Sequence, residues 1–80
     1  MKARVHIMPK DGVLDPQGAA VQRALASSGF AGLGGVRQGK LIEIDLAETD
    51  AARAREAVER MCKSLLANPL IESYRIDIEG

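Results

Sequence analysis

Three stretches of this 80-residue chain alternate apolar and polar residues with a period of two, and that pattern limits the fold more than any other feature. From Lys2 to Met8, Ala3, Val5 and Ile7 fall on one side, and Lys2, Arg4, His6 and Met8 on the other. From Leu41 to Ala47, Ile42, Ile44 and Leu46 oppose Leu41, Glu43, Asp45 and Ala47. From Leu70 to Glu79, Tyr74, Ile76 and Ile78 oppose Ser73, Arg75 and Asp77. Such alternation marks strands with one buried and one wet face.

Two segments of helical period separate these strands. Asp15-Pro16 predicts a helix start, because aspartate caps free N–H groups and proline at the first helical position loses no bond. This helix is expected over Pro16–Ser28, with Ala20, Val21, Ala24, Leu25 and Ser28 inward and Gly29-Phe30 as its stop. Thr49 or Asp50 caps the second, whose stripe is Ala54, Ala57, Val58, Met61, Cys62, Leu65 and Leu66. Glu56-Arg60 and Glu59-Lys63 are expected to pair across its outer side, and Asn68-Pro69 ends it.

The order is β-α-β-α-β, or β-α-β-β-α-β if the middle strand starts at Val36 and folds back at Gln38-Gly39. Either gives an α+β, ferredoxin-like-related two-layer sandwich: an antiparallel sheet with two helices on one face, forming a single domain over residues 1–80. Fully burying a large apolar side chain contributes about 1.5–3 kcal/mol. Ordering each residue costs roughly 1.5 kcal/mol. A chain this short has little surplus, so burial against other subunits is expected.

Composition removes several functions. The 11 basic and 11 acidic residues cancel, which argues against nucleic-acid or anionic-membrane partners, whose binding rests on clustered Lys and Arg. Phe30 and Tyr74 are the only aromatic residues, too few for a base-stacking platform. A single cysteine, Cys62, allows no intrachain disulfide and no multi-cysteine zinc site. With no membrane-spanning run and no leader pattern before Pro9, a cytoplasmic location is expected.

No motif carries catalysis. "GGVRQGKL" approaches a phosphate-binding loop, but Leu41 stands where Ser or Thr is required and a strand follows where a helix is needed. "GFAGLGG" lacks the third glycine of a dinucleotide fingerprint, because Arg37 occupies that position. Asp11 and Asp15 lack the intervening oxygen ligands of a calcium loop. His6 has no partner for a metal or relay, and Cys62 reads as a small buried hydrophobe. In "PKDGVLDPQG", residues 9–18, a turn and a helix cap account for Gly12, Asp15 and Pro16, but not for Val13-Leu14. Those two either staple the start of the helix or insert into another subunit.

Three blocks, "MPKDGVLDPQGAAVQRAL", "GVRQGKLIEIDL" and "MCKSLLANPLIESYRI", closely resemble the PurS family, the small subunit of phosphoribosylformylglycinamidine synthase. The resemblance runs through nearly the whole chain in order; "GFAGLGG" and the alanine-rich start of the second helix depart from it. It implies a non-catalytic adaptor in purine biosynthesis that associates with itself, as dimer or tetramer, and joins a glutaminase subunit to a large ATP-dependent synthetase subunit. That complex makes formylglycinamidine ribonucleotide from formylglycinamide ribonucleotide, ATP and glutamine. ATP and magnesium would belong to the synthetase, leaving no catalytic, cofactor or metal residue in this chain. Candidate interface residues lie in the matching blocks: Lys10, Asp11, Val13, Leu14, Arg37, Lys40, Asn68 and Pro69. The competing reading is a small-molecule-binding regulatory module of ferredoxin-like architecture.

Overall fold

A computed structural model describes all 80 residues. Strand β1 (Lys2–Pro9) lies at the centre of a three-stranded antiparallel sheet, between β2 (Lys40–Asp45) and β3 (Glu72–Glu79). Val5 stands opposite Ile42 on one side and Ile76 on the other, so the apolar positions of all three strands share one face. Helix α2 (Ala51–Met61), capped by the Asp50 carboxylate at the Ala52 and Arg53 amides, packs on that face. Ala3, Val5, Ile7, Ala54, Val58 and Cys62 are fully buried there, and Ile76 nearly so. No helix is long and apolar enough to cross a membrane.

Helix α1 (Pro16–Ser27) forms where its capping signals place it. The Asp15 carboxylate accepts from the Gly18 amide at 3.0 Å. At the other end Gly29 takes a positive φ of 94°, while its N–H donates to Ala26 C=O and that of Phe30 to Leu25 C=O. This is the paired-bond stop that a glycine in the left-handed region permits.

The packing of α1 is a correction to the expectation from sequence. Helix α1 does not lie on the sheet: Ala20, Val21, Ala24 and Ser28 are exposed, and Leu25 is only half-buried. The molecule measures 48 × 25 × 15 Å, with a radius of gyration of 15.9 Å, against about 12 Å for a compact chain of this length. Periodicity shows which side of a helix is apolar, not that the same chain supplies the surface to cover it. Helix α2 already covers β1 and β3, and the long connections on either side of α1 let it project beyond the sheet.

Four local differences have equally direct causes. A single π-helical turn, Cys62–Leu66, extends α2, and the Ala67 amide bonds to Cys62 C=O five residues back. That wider turn rotates Leu65 off the core, leaving it 84% exposed, and buries Ala67 instead. Glu59 accepts from the Tyr74 hydroxyl at 2.7 Å and makes no ion pair with Lys63. The middle strand is neither long nor split, because the Gln38 amide is drawn to Asp15 Oδ2 at 2.9 Å, outside the ladder. Strand β3 begins at Glu72 because Asn68 C=O accepts from the Ile71 and Glu72 amides in a turn.

Candidate subunit interface

The sheet end where β1 stops and β2 and β3 begin gathers most of the residues singled out from sequence. Proline at position 9 closes β1, and the chain turns through Asp11 and Gly12, whose φ of 81° suits glycine. Lys10 anchors the turn twice: its amide donates to Ile71 C=O at 2.8 Å, and its ammonium to Pro69 C=O at 2.7 Å. Asn68 holds the facing turn, its side-chain oxygen accepting from the Leu70 amide at 3.1 Å. The Arg37 guanidinium donates to Pro9 C=O and lies 3.4 Å from the Asp11 carboxylate. Lys40 stands opposite Ile7 at the start of β2, exposed and without an ion pair.

Lys10, Asp11, Arg37, Asn68 and Pro69 are thus neighbours, and their polar groups are engaged within the chain. Val13 is half-buried; Leu14 is 86% exposed. The sequence reading missed the role of Asp15 as a clasp. One oxygen caps α1 and the other holds Gln38, so the base of α1 is tied to the segment leading into β2. Those two N–H donors, with the Arg37 charge, hold its carboxyl below the ordinary value. Gly18 completes the contact, since a Cβ there would approach Val36 C=O to 2.6 Å. A glycine inside the first turn of an otherwise good helix was the available signal for that close approach.

Beyond this base the surface is apolar in a way the sequence reading did not anticipate. Along α1 and its C-terminal connection, Val21 is 39% and Phe30 61% exposed, and Leu33 is exposed as well. Leu65, Leu70 and Ile71 are exposed around the π-helical turn and the start of β3. The outer face of the sheet is instead a lattice of ion pairs. Arg4 bonds Glu43 at 3.1 Å and also Glu79, which holds the Glu43 carboxyl below its usual range. His6 Nε2 lies 3.1 Å from Asp77, and Arg75 3.5 Å from the same carboxylate.

No group of three His, Cys, Asp or Glu side chains converges, and no cavity opens in the surface. Burial, with the nearby Glu59 charge, raises the Cys62 thiol, which disfavours the nucleophilic thiolate.

A thin sheet-and-helix core with a projecting, exposed helix defines a class of small α+β protein with much of its apolar surface left open. The sequence model of the family PurS, phosphoribosylformylglycinamidine (FGAM) synthase, matches residues 2–80. This chain belongs to the PurS family. It is 45% identical over 78 residues to phosphoribosylformylglycinamidine synthase subunit PurS of Methanocaldococcus jannaschii, covering 98% of this chain and 94% of that relative. The solved structure of Bacillus subtilis PurS superposes with a TM-score of 0.86 at 42% identity, covering 99% of this chain and 98% of that one. A chain in the structure of PurLQS from Thermotoga maritima matches with a TM-score of 0.85 at 28% identity, covering 95% and 93%.

Proposed function

We propose that this chain is the adaptor subunit of a phosphoribosylformylglycinamidine synthase, working in the cytoplasm. It holds a glutaminase and an ATP-dependent synthetase in register, so that ammonia released at one site reaches the other without escaping into water. Its contribution is positioning, by which fixed geometry replaces a bimolecular encounter. ATP and magnesium bind the synthetase partner in this reading. The ferredoxin-like small-molecule module is not favoured, since the chain's relatives over its whole length carry the name of the synthase subunit.

The observation that carries the reading is the uncovered arm. An amphipathic helix whose apolar side its own chain leaves largely exposed needs a surface from elsewhere. We assign α1 first to self-association, and the Lys10–Leu14 turn, Arg37, Lys40 and Asn68-Pro69 to contacts with the two enzymes. The turn is pre-ordered, because the Lys10 amide donates to Ile71 C=O and the Val13 amide to Lys10 C=O, and a pre-ordered contact loses less entropy on binding. Sedimentation of the chain mixed with both enzyme subunits tests this. A ternary species that needs all three components is expected, and two enzymes that associate equally well without this chain would overturn the assignment.

A further inference from the structure

Where the π-helical turn leads into β3, the chain exposes three large apolar side chains in succession. Leu65 is 84% and Leu70 83% exposed, and Ile71 is exposed as well. From this segment the core takes Leu66 in part and Ala67, leaving the other three outside. Their backbone is nevertheless hydrogen-bonded. The Ala67 amide donates to Cys62 C=O, the Ile71 and Glu72 amides donate to Asn68 C=O, and Ile71 C=O accepts from the Lys10 amide. Apolar side chains held on an ordered backbone are what a binding anchor needs, since little entropy is lost when a partner covers them.

Two lysines border this junction. Lys63 stands two residues before Leu65 and is exposed. The Lys10 ammonium lies 2.7 Å from Pro69 C=O, the carbonyl of the peptide bond that joins Pro69 to Leu70. Neither lysine forms an ion pair. The carboxylates nearby in the chain are already engaged: Glu72 accepts from the Asn68 amide at 2.7 Å, Glu59 from the Tyr74 hydroxyl at 2.7 Å, and Glu56 lies 3.5 Å from Arg60. An apolar centre with a charged rim is the anatomy of a contact between proteins.

We propose that Leu65, Leu70 and Ile71 anchor one of the two enzymes, through an apolar segment of that enzyme flanked by carboxylates that meet Lys63 and Lys10. This rests on the adaptor reading and gives one of its contacts a place and a chemistry. A second copy of the chain does not supply such a segment. Its uncovered apolar stretch, residues 16–35, carries a single charge, Arg23, and no carboxylate, so it would bring a cation to a rim of cations. The carboxylates Glu43, Asp77 and Glu79 on the outer sheet face are already held by Arg4, His6 and Arg75. The patch also continues the surface formed by Lys10, Asn68 and Pro69. In this arrangement the apolar anchors supply the hold, and the lysines supply orientation and speed of encounter.

Titrating the full chain into a mixture of both purified enzymes, with sedimentation reading the concentration that half-saturates the ternary species, tests the proposal. Leu65→Ser and Leu70→Ser should each raise that concentration about tenfold. Lys63→Glu should raise it about threefold and flatten its dependence on salt, while Lys63→Arg matches the parent. Because both leucines are exposed, circular dichroism and urea unfolding of each variant should match the parent, and so should self-association of the chain alone. Leucine variants that assemble with the enzymes as well as the parent does would overturn the inference. Variants that lose self-association and keep enzyme binding would make a second copy the occupant, and a Lys63→Glu chain that binds more tightly would exclude an acidic partner. A parent chain that forms no ternary species sinks the adaptor reading itself, an outcome distinct from failure of the leucine and lysine variants to differ from a parent that assembles.

Discussion

Two valines separate the core of this chain from the apolar surface that α1 leaves open. Val58 is fully buried between α2 and the sheet. Val58→Ala removes two methyl-sized groups, a transfer loss of about 1.6 kcal/mol at ~0.8 kcal/mol each, and a residual cavity raises the cost to about 2–3 kcal/mol. A chain of this size has roughly 4–12 kcal/mol of stability in all, and each kcal/mol shifts Tm by about 4–8 °C, so a fall of at least 8 °C is expected. Val21 is 39% exposed on a helix that the sheet does not cover. Val21→Ser should change the unfolding free energy of dilute, monomeric chain by no more than about 0.5 kcal/mol, yet weaken self-association. Urea unfolding followed by far-ultraviolet circular dichroism, at concentrations above and below the dissociation midpoint, separates the two effects. If Val21→Ser destabilises the dilute chain as much as Val58→Ala does, α1 belongs to the core of the monomer and the argument from its exposed stripe fails.

Three further outcomes follow from single contacts. The Asp15 carboxyl, held by the Gln38 and Gly18 amides and the Arg37 charge, should titrate below its ordinary value of 3.8 in a carbon-detected NMR titration. A depressed folded pKa gives stability that is complete above the unfolded value and lost as pH falls through the folded one, so unfolding below about pH 4 should become less pH-dependent in Asp15→Asn. The Tyr74 phenol, donating to Glu59 beside that negative charge, should ionise above its usual value of 10.0; alkaline absorbance titration of Glu59→Gln should show the midpoint move back down. A Cβ on Gly39 would collide with Ile7 C=O and the Met8 sulfur, so Gly39→Ala should lower stability by about 1–3 kcal/mol, measured by the same urea unfolding; an unchanged midpoint would show that the approach of β2 to β1 relaxes freely.

What was legible in the sequence was local. Period-two alternation marked all three strands and their buried faces, because a one-residue slip would turn Ala3, Val5 and Ile7 to water. Asp15-Pro16 and Gly29-Phe30 marked helix ends through their own backbone chemistry, and of the two caps offered for the second helix, Thr49 and Asp50, it is Asp50 that serves. The position of α1 was not legible: an amphipathic stripe reads the same whether its cover comes from the same chain or another. Nor was the burial of Ala67 in place of Leu65, which depends on one widened turn. Of the candidate interface, the blocks carrying the family resemblance turned out to be neighbours in space, yet pairings such as Lys10 with the Pro69 carbonyl and Arg37 with the Pro9 carbonyl depend on how three loops meet. No periodicity reports that.

The central claim is that this chain contributes position to a reaction whose chemistry lies in its partners. Initial rates of formylglycinamidine ribonucleotide formation by the synthetase and glutaminase, with and without this chain and with either glutamine or ammonium as nitrogen source, test it most directly. The account predicts that omitting the chain abolishes the glutamine-dependent rate and leaves the ammonium-dependent rate in place. A glutamine-dependent rate that does not change on omission would contradict it.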